Sequence, residues 1–234
     1  MLKFLKSKKQ SPLTIDKSLP ITDIRYTVID TELTGLNEKK DSILSIGAVR
    51  MNGTRIELAN SFYQLIKPET EFRPKSVVVH EITPSDVVEK PNIDAILAEF
   101  LEFCDADIIV GHCVSIDLLF LNKEMKRMFG DSMHNPALDT YKVYEWLSKK
   151  VPTRTCFSAS PRDPSLYEIA KCFSIAVRGA HDALVDAFIT AQLLQRFMPV
   201  LIDTGVTCIG DLLKIGHPSE GGDKQKLSGE ISNF

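Results

Sequence analysis

Asp30 and Glu32 stand one residue apart at the end of a β-branched run, Tyr26-Thr27-Val28-Ile29-Asp30-Thr31-Glu32, which leaves through Leu33-Thr34-Gly35. A strand alternates its faces at every residue, so positions i and i+2 point the same way. Two carboxylates on one face repel and raise each other's pKa unless a cation lies between them. Hard divalent ions such as Mg²⁺ or Mn²⁺ prefer such oxygen-rich surroundings. A lone Asp-x-Glu pair also fits a solvated loop start. The metal reading therefore requires further carboxylates to reach the same place.

The composition sets few limits. The chain has 234 residues, 44% of them apolar, enough for one large domain with a substantial core. Its 28 basic and 31 acidic residues give a net charge of −3, unlike the strongly basic balance common in nucleic-acid binders. An enzyme built on carboxylates and metal needs only a local basic rim. Five widely spaced cysteines form no CxxC pair, which speaks against a zinc site or disulfide framework and for a reducing, cytoplasmic setting. The start, Met1-Leu2-Lys3-Phe4-Leu5-Lys6, is basic but has no apolar h-region. No run reads as transmembrane, and no membrane partner is expected.

Along the chain, residues 1–20 read as a flexible basic leader, 21–216 as the catalytic domain and 217–234 as a flexible tail. Strands are expected near 24–30, 43–51 and 54–66, the last two joined by the hairpin signal Asn52-Gly53. Residues 77–84 read as loop and 92–104 as an amphipathic helix. A short buried strand is expected at 107–111, followed by helices over 116–129, from Leu138-Asp139-Thr140 to about 150, over 165–173, from 182 to 197 or beyond, and over 207–215. That order predicts an α/β fold in which an antiparallel meander joins one or two strands reached by helical crossovers.

Further acids lie at element ends. Gly111-His112-Cys113-Val114-Ser115-Ile116-Asp117 puts Asp117 in the first turn of a helix, just past a strand end, where ligands bind in open α/β sheets. His181 precedes the long helix and Asp186 sits on its second turn. The plainer alternative for each is helix capping.

Taken together, Asp30-Thr31-Glu32 with Thr34-Gly35, then Gly111-His112 leading to Asp117, then His181 with Asp186, resemble the DEDDh exonucleases. This family includes the proofreading epsilon subunits of bacterial replicative polymerases, ribonuclease T and oligoribonuclease. His80-Glu81-Ile82-Thr83 also resembles a family element, while Cys113 stands where Asn is common and Ile116 where Phe is usual.

The resemblance implies a ribonuclease H-like fold: a mixed five-stranded sheet with flanking helices. It implies a metal-dependent 3′–5′ exonuclease that acts on nucleic acid with a free 3′ end, single-stranded DNA favoured, and releases nucleoside 5′-monophosphates in proofreading or repair. Two Mg²⁺ or Mn²⁺ ions would be held by Asp30, Glu32, Asp117 and Asp186. Asp30 would bridge them and His181 would be the general base. Thr34, Gly35 and Leu36 would contact the terminal nucleotide with His80 nearby, against turn or core roles for each. Lys123, Lys126, Arg127, Arg154 and Arg162 are available to line the strand's path, against an ordinary solvated surface. RNA trimming, oligoribonucleotide degradation and docking to a DNA polymerase or another protein stay open.

Overall fold

The computed structural model describes residues 14–70, 77–78, 80–158 and 164–218. Strands β1 (Arg25–Leu33), β2 (Ile43–Asn52), β3 (Arg55–Leu65), β4 (Ile108–Gly111) and β5 (Ala137–Asp139) form one sheet in the order β3-β2-β1-β4-β5. The first three are an antiparallel meander, whereas β4 and β5 run parallel to β1. Helices α1 (Pro84–Val87) and α2 (Ile93–Cys104) lie between β3 and β4, and α3 (Ser115–Phe129) connects β4 to β5. They are followed by α4 (Thr140–Lys150), α5 (Thr155–Ser158), α6 (Leu166–Cys172), α7 (Ala183–Asp203) and α8 (Ile209–Ile215).

The alternation along β1 separates two cores. Tyr26 and Val28 pack with Ala187, Ile189 and Leu193 of α7, while Ile29 packs with Leu97 and Phe100 of α2 and Phe120 of α3. Helix α7 is long and apolar enough to cross a membrane by length and composition, which the sequence reading did not flag. Its apolar residues are spent inside the protein, with Ala183, Ala187, Leu193, Leu194 and Phe197 fully buried.

Two expectations change. Residues 137–139 form β5 rather than the start of a helix. So short a strand carries no periodicity of its own; pairing of Ile109, Val110 and Gly111 with Ala137, Leu138 and Asp139 creates it. The flexible leader expected over 1–20 does not reach residue 20. Leu19 and Lys17 accept hydrogen bonds from Ile209 and Gly210, both at 2.9 Å, and the Ile21 amide donates to Thr207 at 3.0 Å. Residues 1–13 and 219–234 lie outside the described residues.

Candidate active site

β1 pairs with β4 only as far as Val28 and Val110, so its last residues border an open crevice at the end of β4. The register slips between Glu32 and Leu33, a bulge that ends the regular pleat beside the two acids. Asp30 and Glu32 continue the face of Tyr26 and Val28, toward α7. There, one oxygen each of Asp30, Glu32 and Asp186 lie within 4.8 Å of one another.

What lets α7 come so close is Gly47, the β2 residue paired with Asp30. A Cβ on Gly47 would lie 2.2 Å from backbone atoms of Ala183 and Leu184, the first residues of α7. Gly47→Ala is therefore expected to lift the first turn of α7 and carry Asp186 away from Asp30. Overpacking of this kind costs about 1–3 kcal/mol. Mn²⁺ binding measured by calorimetry should weaken about tenfold, ~1.4 kcal/mol; unchanged Mn²⁺ affinity would contradict this account.

Asp186 is buried, and its two oxygens have separate duties. Oδ2 accepts the Tyr167 hydroxyl at 2.5 Å and the His181 amide at 3.1 Å. Oδ1 is buried with no partner among the described residues. A buried acceptor without a donor, on a residue clustered with two more carboxylates, is a poor arrangement for protein alone and a good one for a cation. The residues therefore fit a divalent ion.

Asp117 arrives from the other side of the sheet. Thr31, pointing away from its neighbours Asp30 and Glu32, donates to Asp117 Oδ1 at 2.6 Å. Asp117 thus lies outside the three-carboxylate group, held by Thr31 between the group's two β1 members, and its charge still reaches Asp30 and Glu32. Burial first, then the charges of the neighbouring acids, hold Asp30 and Glu32 well above the ordinary carboxylate range. Burial lifts Asp117 to about 7 against the Thr31 hydrogen bond. It lifts Asp186 to about 6 against the Tyr167 hydroxyl.

The capping alternative for His181 is answered by its neighbour. Asp182 caps α7, accepting from Leu184 and Val185 at 2.9 and 3.2 Å. His181 sits before it with φ 64°, a left-handed conformation that costs a non-glycine residue energy. Its amide is held by the Tyr167 oxygen at 2.8 Å, and its ring meets the Tyr167 ring edge-on at 5.0 Å. Burial keeps the imidazole below its usual pKa, opposed by Glu81, so it is neutral at neutral pH. Tyr167 had no sequence signal, since its position on a short amphipathic helix says nothing of a contact 19 residues away.

On the nucleotide side, Thr34 is fully buried and braces the loop. Its amide donates to the Ser42 carbonyl and its hydroxyl accepts the Ser42 amide, both at 2.9 Å. The expected Thr34 substrate contact gives way to this turn role. Asp41, also missed, organises the same loop. It accepts from the Asn37 amide at 2.7 Å, and a Cβ on Gly35 would lie 2.6 Å from its Oδ2. Gly35 and Leu36 remain half-exposed at the crevice, Leu36 packing partly on the second core. His80 closes a helical turn rather than a loop and is buried, its Nδ1 accepting from the Ile82 amide at 3.0 Å. Burial and the nearby His181 push it down to about 4.

Of the basic residues, Arg127 is committed to Glu124 and Asp94, and Arg154 to Asp203; Arg162 lies outside the described residues. Cys113 adopts φ 56°, a conformation Asn takes more readily than Cys, which accounts physically for the Asn of the resembling family. Ile116 is buried in the second core.

A mixed sheet of this order, with acids from three elements gathered at its strand ends, defines a nuclease of ribonuclease H-like fold. Residues 27–194 match the family model described as exonuclease, a stretch that includes Asp30, Glu32, Asp117, His181 and Asp186, and the chain belongs to this exonuclease family. It is 33% identical over 193 residues to the DNA polymerase III epsilon subunit of Aquifex aeolicus, covering 82% of this chain and 90% of that one. It is 32% identical over 193 residues to the PolC-type DNA polymerase III of Thermotoga maritima, covering 82% of this chain but only 13% of that one. The fold is shared with E. coli exonuclease I in complex with a dT13 oligonucleotide, with a TM-score of 0.62 at 19% identity over 77% of this chain and 43% of the other.

Proposed function

We propose that this exonuclease removes nucleotides stepwise from the 3′ end of single-stranded DNA, releasing nucleoside 5′-monophosphates, as a proofreading partner of a DNA polymerase. The observation that carries this reading is the group of Asp30, Glu32 and Asp186, in which Asp186 Oδ1 has no hydrogen-bond partner among the described residues while Oδ2 accepts the His181 amide. The resemblance to an epsilon subunit over most of both chains supports the polymerase partner.

A phosphodiester is negative, and bare carboxylates repel it. Asp30, Glu32 and Asp186 would hold a divalent ion, Mg²⁺ or Mn²⁺, with Asp117 serving a second. Such ions, when bound, polarise the phosphate and lower the pKa of water. The chain's own part is positional and acid–base. His181 Nδ1 or Nε2, kept neutral by burial, takes the proton from the attacking water as it approaches phosphorus. Tyr167 fixes the backbone that carries the imidazole and occupies Asp186 Oδ2, which leaves Oδ1 as the oxygen to meet an ion. Gly35 and Leu36 present a small backbone and an apolar edge to the last nucleotide.

The test is hydrolysis of 5′-labelled DNA and RNA strands with Mg²⁺ or Mn²⁺, for wild type and His181→Ala. We expect a ladder shortening one nucleotide at a time on DNA, slowed about 10²–10⁴-fold in the variant. Internal cuts, or wild-type rates in His181→Ala, refute the scheme; faster trimming of RNA transfers it to an exoribonuclease.

A further inference from the structure

Along α3, the helix that carries Asp117 in its first turn, the surface opens into a groove of about 1090 Å³, just above the range for small-ligand sites. One wall is the outer side of α3 from Ser115 to Lys126, about 16 Å of helix. The other is built from residues 14–17, the entry to β5 and α8. Its head lies at both segments that flank the site. Ser115 and Ile116 directly precede Asp117, and Glu38 follows Leu36 by two residues.

The groove's charge is opposite to that of the chain. Lys17, Lys123, Lys126 and Lys214, from three separate segments, face one carboxylate, Glu38, in a protein of net charge −3. Two of the four are partly committed. Lys123 donates to the Asp41 carbonyl at 3.1 Å and pairs with Glu124 at 3.3 Å, while Lys214 pairs with Asp211 at 2.9 Å. Lys17 and Lys126 are exposed and make no ion pair among the described residues. Between the lysines, Ile15, Leu119 and Leu213 supply an apolar floor, each half-buried. Cationic heads on the rims above an apolar floor match a chain of phosphates carrying flat, weakly polar bases.

We infer that this groove carries the single strand upstream of the 3′ end, with Lys17 and Lys126 neutralising phosphates that the acid cluster never touches. The inference rests on the proposed nuclease reading and adds to it: affinity grows with strand length, while the reaction is confined to the terminal nucleotide. A folded acidic protein is the competing occupant. The groove's length along α3, its surplus of lysines, and the place of Ser115 and Ile116 directly before Asp117 favour the strand.

The test compares wild type with the double variant Lys17→Gln/Lys126→Gln. The substrates are thymidine 5′-monophosphate p-nitrophenyl ester, which fills only the terminal site, and an oligothymidylate of about 12 nucleotides. We expect unchanged ester hydrolysis, and a KM for the oligothymidylate raised about tenfold with kcat preserved. The slope of log affinity against log salt should be shallower by about 1.4. The same oligothymidylate, labelled and bound in Ca²⁺ without turnover, should show the same loss. Equal affinity of the two proteins for the labelled strand overturns the groove assignment, whatever the ester shows. Absence of ester hydrolysis in both proteins counts against the nuclease reading alone, since strand binding decides the groove.

Discussion

Asp30→Asn is expected to destroy hydrolysis while making the metal-free protein more stable. The two effects have one cause. Asp30 is half-buried among Glu32, Asp117 and Asp186, all of one sign. Without a cation this charge is unfavourable to the fold, so an isosteric amide relieves it and offers donors to the remaining acids. The same amide would take one anionic ligand from the proposed metal site. The rate should fall at least about 10³-fold, roughly 4 kcal/mol of transition-state stabilisation. Thermal unfolding in EDTA near about pH 8 should occur several degrees higher than in wild type, the shift that about 1 kcal/mol produces in a domain of this size. A variant that melts lower, or one that keeps wild-type kcat, would mean that Asp30 is satisfied by the protein itself and holds no metal.

Chelation should silence the enzyme, and the accompanying loss of stability should depend on pH with a definite sign. Asp186 is raised to about 6 and Asp117 to about 7, from an ordinary carboxylate value of 3.8 in the unfolded chain. Between those values the native state holds more protons than the unfolded state. Stability contributed by these groups is therefore greatest in acid and is lost as pH rises through the folded pKa values, levelling off above about 7. A divalent ion takes the place of the bound protons. The melting shift caused by Mn²⁺ relative to EDTA should be small near about pH 4 and grow to about 2.7 kcal/mol near neutrality if the ion is present at a hundred times its Kd. Taking the difference between the two conditions cancels the exposed carboxylates elsewhere, such as Asp86 and Asp211, whose pKa values are lowered by local hydrogen bonds. A shift of equal size at both ends of the pH range would remove the acid cluster as the metal site.

Much of the proposed site is legible in the sequence because its spacing is local. A strand's period of two puts Asp30 and Glu32 on one face, and the first turns of two helices set Asp117 and Asp186 at element ends. The reading faltered where a side chain's duty is set by a partner far along the chain. Thr34 lies in the expected turn yet faces Ser42, and Asp117 reaches the other acids from behind Thr31. Residues 137–139 become a strand only because β4 is there to pair with them.

The chain's order of residues alone pointed to the candidate groups, since a strand's period of two puts Asp30 and Glu32 on one face and helix starts put Asp117, His181 and Asp186 at element ends, where the family resemblance gives them their proposed roles. Tertiary structure alone settled how they are held. Gly47 matters only because α7 crosses it, Tyr167 only because its hydroxyl meets Asp186 and the His181 amide, and Lys17 only because residues 14–17 lie across from α3. Contacts between distant segments depend on how helices pack against a sheet, and no short stretch of sequence contains that information.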